Sequence, residues 1–150
     1  MGTWGTNAFE DDTALEIYDN YCRNLTDFKQ LESDFDIVLG KEYNMENPDM
    51  LTDGFTEPLK TLVAAELIAA ALGKPTDKYP DARYHEDMEI NPLDLKTLTP
   101  TLNDTVKDKA KQALNKIRDT RGIHLTELWM ESDSYDSWKQ EINDLIERLK

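Results

Sequence analysis

The stretch "LVAAELIAAAL", Leu62 to Leu72, most constrains what this chain can fold into. Its 11 residues are apolar on nearly every side of a helix, and Glu66 is the one charged exception. That is well short of the ~20 residues needed to cross a bilayer. A helix of this kind is stable in water only when neighbours pack all round it. The segment therefore predicts a central helix with small alanines that let its neighbours approach closely. Glu66 is expected at the rim, or buried with a partner and its pKa raised. The helix is read as starting near "TEPLK", with Pro58 tolerated in the first turn, and stopping at Gly73-Lys74-Pro75.

The flanking segments supply such neighbours. In "DDTALEIYDNYCRN" the residues Ala14, Tyr18, Tyr21 and Cys22 recur at helical spacing, behind capping oxygens at Asp11, Asp12 and Thr13. Phe28, Leu31, Phe35 and Val38 make a second stripe that ends at Gly40, read as a left-handed cap. Val106, Ala110, Ala113, Leu114 and Ile117 form a third, stopped by Gly122. "LTELWMES" reads as a short helix, and Trp138, Ile142, Leu145, Ile146 and Leu149 are in register near the end. Irregular loops are expected at about 40–55 and 75–100, the second with a short helical turn at "PLDLKTL". No sustained alternation marks a strand. The expectation is an all-α, single-domain bundle of five to six helices over residues 1–150, a length that buries enough surface to fold without metal or disulfide.

Charge narrows the functional classes. The formal net charge is −14, from 17 basic and 31 acidic residues. Residues 1–60 carry 14 acids and 4 bases, so the negative field is concentrated in the first two fifths of the chain. Such a surface repels phosphate backbones and anionic membranes, which argues against nucleic-acid and membrane partners. It attracts a basic protein, although acidity also serves solubility alone. With acids from Glu10 onward there is no charged-then-apolar leader, so the cytoplasm is the expected location.

No motif supplies a catalytic constellation. "MGTWGT" fits a myristoylation pattern, but "FEDD" beside it has the wrong sign for a one-chain anchor. It lacks the spacing of a phosphate-binding glycine loop. Gly2 and Gly5 are read as turn residues that let Trp4 and Phe9 close one end of the bundle, with Phe9 stapling the first helical turn. Cys22 is a small core residue with no cysteine partner. His124 and Glu127 form H-x-x-E, which on a helix shares one face, yet the only other histidine is His85, too few for a helical di-metal site. "ESDSYDSWKQE" lacks the glycine of a calcium loop. No metal or cofactor is expected.

Three stretches taken together, "MGTWGTNAFEDDTALE", "AAELIAAALGKP" and "LTELWMES…SWKQEINDLIERL", resemble the bacterial domain of unknown function 4259. Members open with MG-x-WG and carry E-L-W-x-E-S before a later tryptophan. The resemblance implies a family and gives Trp4, Trp129 and Trp138 structural roles, but implies no activity. The functional expectation is a non-enzymatic, acidic protein-binding domain, most concretely an immunity-type inhibitor of a basic toxin such as a nuclease. Its partner-binding residues are expected to be Asp27, Glu32, Asp34, Asp36, Glu42, Glu46 and Asp49. The alternatives are a small enzyme or metal-binding protein built on His124, Glu127, Glu66 and His85, or a subunit anchored through Trp129 or Trp138.

Overall fold

The computed structural model describes residues 5–150, and Gly2 and Trp4 lie outside that range. The described residues are helical, without a strand: α1 (Asp12–Asn24), α2 (Leu31–Gly40), α3 (Pro48–Ala71), α4 (Ala82–Asp87), α5 (Leu95–Leu98), α6 (Asp104–Asp119), α7 (His124–Met130) and α8 (Tyr135–Arg148). Single 3-10 turns precede α2 and follow α5. The all-α expectation holds, but the described residues form eight helices rather than five to six. The additional two, α4 and α5, are short and sit in the expected 75–100 loop, started by side-chain caps at Asp81 and Asp94. The turn expected at "PLDLKTL" is α5.

The central helix α3 is buried at every position from Thr61 to Ala69. Helices α1, α2, α5, α6, α7 and α8 all pack on it. It starts at Pro48, eight residues before the "TEPLK" at which its start was expected. Asn47 accepts from the Asp49 backbone N–H and Pro48 takes the first helical position, so "ENPD" opens the helix instead of marking a loop. Pro58 therefore lies inside α3, where it removes the hydrogen bond to the Gly54 carbonyl. The helix continues because its buried face holds it. Gly54 itself is needed for close approach: a Cβ there would stand 3.0 Å from the His124 backbone nitrogen of α7.

The predicted stripes bury as expected. Phe28, Leu31, Phe35 and Val38 are fully buried, as are Val106, Ala110, Ala113, Leu114 and Ile117. Gly73 and Gly122 both adopt positive φ after α3 and α6. Gly40 does not, which corrects the left-handed cap expected there. Lys41 is extended immediately after it, and the Lys116 ammonium of α6 donates to the Leu39 carbonyl at 3.3 Å and the Lys41 carbonyl at 2.7 Å. A lysine from another helix thus satisfies a carbonyl that a glycine cap would otherwise serve. Among the described residues, no helix is long and apolar enough to cross a membrane.

Phe9 is buried, with its ring against Tyr18 in the second turn of α1. Its ring meets Tyr18 at 5.6 Å and Tyr79 at 5.4 Å, and Tyr18 meets Tyr79 at 5.6 Å, all edge-to-face. This triad fastens the segment after α3 onto α1. Cys22 is half-buried beside it, with its thiol pushed up by burial.

Candidate partner-binding edge and apolar cleft

The seven predicted acids fall into two groups. Four are occupied within the fold. Asp27 caps the 3-10 turn before α2, accepting from the Lys29 backbone at 2.7 Å. Asp34 accepts from the Tyr21 hydroxyl at 2.7 Å and pairs with Lys60 at 3.3 Å. Glu32 and Asp36 both face Lys109 of α6, at 3.5 and 3.0 Å. Their charge is largely compensated locally. Burial and the neighbouring Asp34 carboxylate together push the Tyr21 phenol far upward, so that hydroxyl stays a donor.

Glu42, Glu46 and Asp49 are different: all three are exposed, and among the described residues their carboxylates make no hydrogen bond or ion pair. Glu42 and Glu46 stand on the link from α2 to α3 and Asp49 in the first turn of α3, and the link is held firmly in place. The Tyr43 ring is buried, its hydroxyl donates to Glu57 at 2.9 Å, and Lys41 reaches the same carboxylate at 2.8 Å. Lys116 grips the Lys41 carbonyl, as described above. Gly122 backs directly onto the Tyr43 carbonyl, where a Cβ would come within 2.6 Å. Asn44 and Asn47 side chains each accept from the backbone two residues on. Burial lowers the Lys116 ammonium, and Glu42 pulls it back up. Met45 on this link and Leu51 at the start of α3 are also exposed, at 37% and 39% of their surface. The outcome is a braced edge, residues 42–51, that intersperses exposed carboxylates with exposed apolar side chains.

The residues of the alternative, catalytic or metal-binding reading are each held by a different partner. His124 Nδ1 donates to the Leu51 carbonyl at 2.6 Å, while Glu127 turns to Arg121 and the Gly122 backbone, both at 3.0 Å. The shared face expected for H-x-x-E is not used jointly, because at a helix start the carboxylate closes the preceding turn. Those bonds hold Glu127 below the usual carboxylate range. Glu66 is 2% exposed and pairs with Arg148 of α8 at 2.7 Å, with Asn7 at 3.4 Å. Burial pushes its carboxyl up against the pull of Arg148, as expected for a buried carboxylate. His85 is buried on Tyr18, its Nε2 2.9 Å from the tyrosine oxygen. Among the described residues, no three His, Cys, Asp or Glu side chains are grouped to hold a metal ion.

A cleft of about 390 Å³ opens between α3, α7, α8 and the segment 5–8. Its floor is Leu59, Leu62 and Leu125; Phe55, Leu128 and the two tryptophans form its sides. Trp129 and Trp138 are stacked, 6.0 Å apart and 13° from parallel. Trp138 is 2% exposed, which removes it as a surface anchor, whereas Trp129 is half-buried. Gly5 also lines this cleft, and the Glu10 carboxylate occupies the space a Cβ there would need. Sequence reasoning did not find the cleft, because its walls are assembled from four separated segments.

The family model described as domain of unknown function DUF4259 matches residues 2–141. No curated protein and no solved structure matches the chain.

Proposed function

Because the chain belongs to the DUF4259 family, a domain without an assigned activity, we propose a function from its own surface: a non-enzymatic domain that binds a basic protein through the edge 42–51. The observation that carries this reading is the combination on that edge of three exposed carboxylates, without a hydrogen bond or ion pair among the described residues, with exposed Met45 and Leu51. An edge already braced in the free protein loses little conformational freedom on binding. Carboxylates steer a cationic partner and set its orientation, while apolar side chains supply the desolvated contact. The most concrete form is an immunity-type inhibitor acting in the cytoplasm on a basic toxin such as a nuclease, since an acidic edge competes with nucleic acid for a cationic cleft.

The test is a comparison of the wild-type chain with Glu42→Lys/Glu46→Lys/Asp49→Lys. Proteins captured by the wild type at low salt are identified, purified and titrated against both chains by calorimetry. The expected result is a cationic partner whose affinity falls with salt and drops at least about tenfold for the triple variant. Equal affinity for both chains would remove the edge from the reading. For the immunity form, co-expression with the toxin should restore growth, and the triple variant should not.

A further inference from the structure

Tyr135, Trp138 and Trp129 form an aromatic ladder beside the cleft between α3, α7 and α8. Trp138 stacks on Tyr135 at 6.2 Å and 26° and on Trp129 at 6.0 Å and 13°, and the Lys139 ammonium lies 4.5 Å from the Tyr135 ring centre. The Trp138 ring is 2% exposed, so its plane is fixed by packing. Trp129 lines the cleft and is only half-buried, which leaves indole surface open to it. Phe55, Leu62, Leu125 and Leu128 complete an apolar enclosure of about 390 Å³, at the small end of the ~300–1,000 Å³ typical of pockets that enclose small molecules. We propose that this cleft is a binding site for a small planar aromatic cation, which stacks on the Trp129 indole among the leucines.

Shape and charge select that class. A flat ring continues a stack whose members are already near parallel, and offset stacking is favourable beyond the area it buries. Indole is also the side chain whose face attracts a cation most strongly. Among the described residues that line the cleft, Asp11 is the only charged one, and no lysine or arginine is there to receive an anion. Asp11 is 6% exposed and accepts from the Ala14 backbone N–H at 3.0 Å as the cap of α1, which holds its carboxylate in place. Glu131 and Asp133 stand exposed on either side of Ser132, another lining residue. The net charge of −14 concentrates cations near the surface and repels carboxylates and phosphates. The cleft shares no lining residue with the edge 42–51, so this assignment does not rest on the partner reading.

Proton NMR titration of the full chain tests it near neutral pH in ~0.15 M salt, where exposed charges are largely screened. The probes are three bicyclic rings of similar shape: N-methylquinolinium, neutral quinoline and anionic naphthoate. N-methylquinolinium should saturate one site with a Kd below about 1 mM, and its ring protons should shift upfield because they lie over an indole. Naphthoate should bind at least about tenfold more weakly, with quinoline between the two. Leu128 is 43% exposed, so Leu128→Arg should fold while bringing a guanidinium to the side of the cleft; it should weaken quinolinium binding by about tenfold or more. Trp129→Leu should remove the upfield shift. Absence of saturable binding would overturn the proposal, and so would equal affinity for naphthoate. Quinolinium binding indifferent to Leu128→Arg would also sink it, because the ring would then be seated elsewhere. If Trp129→Leu does not fold, the Leu128→Arg titration decides alone.

Discussion

At His85 the fold buries an imidazole whose Nε2 meets the Tyr18 hydroxyl and whose Nδ1 has no hydrogen-bond partner. The Tyr18 and Tyr84 rings face it, and the Asp19 and Asp81 carboxylates pull its pKa upward. Burial outweighs them and lowers it below the ordinary value of 6.5. The folded state therefore favours neutral imidazole. As pH falls through 6.5 the unfolded chain takes up this proton first, so stability present above that value is lost below it. Denaturant midpoints of the wild type should fall between pH 7.5 and 5.5 more steeply than those of His85→Gln, which keeps a polar group for Tyr18. Parallel pH profiles would show that His85 is not the group responsible. The sequence placed His85 in an irregular segment beside acids and gave no sign of its burial. That burial depends on Tyr18, 67 positions away.

Among the helices, α8 is locked to α3 by one ion pair. Arg148 and Glu66 are both largely buried, 2.7 Å apart, and Arg148 also donates to the Lys74 carbonyl beyond the end of α3. Removing the guanidinium leaves a carboxylate in an apolar helix without its cation. Arg148→Met should therefore cost about 3–5 kcal/mol, whereas Glu66→Leu/Arg148→Met should recover most of it. Chemical denaturation of the two variants checks this, and a double variant as weak as the single one would refute the pair's role. Lys116 ties α6 to the α2–α3 link in the same manner. Lys116→Ala should cost about 1–2 kcal/mol in denaturation, from two charged hydrogen bonds at a half-buried site.

How far these elements were legible follows from what specifies them. The α1, α2, α6 and α8 stripes are set by local apolar spacing, and their buried residues were readable in advance. The start of α3 was not, because Asn-Pro and Asp-Gly read equally as turn signals. Gly54 is helical here because α7 presses against it, a contact across 70 residues. The candidate site has the same limit. Residue type alone identified the seven acids, but Lys109 and Lys60, which neutralise Glu32, Asp34 and Asp36, are distant in sequence.

For the molecule as a whole, the open question between solubility and binding is a question of locality. A net charge of −14 repels itself and steers any cation from a distance, and both effects depend on the sum of charges rather than on their positions. A docking edge depends on position. Two triple variants separate these. Glu42→Lys/Glu46→Lys/Asp49→Lys and Glu86→Lys/Asp87→Lys/Glu89→Lys each make three changes of two charges and move the formal charge from −14 to −8. The second set is exposed, at the end of α4 and just beyond it, on the segment fastened to α1. Both variants should gain thermal stability at low salt by similar small amounts, since self-repulsion falls equally, and lose that gain as salt screens it. Partner association should not behave alike. Stopped-flow mixing with the purified basic partner should show a modest, salt-sensitive slowing for both, with faster dissociation only for the 42/46/49 variant. Equal dissociation rates would make the acidity a bulk property of the surface and leave no role for the edge.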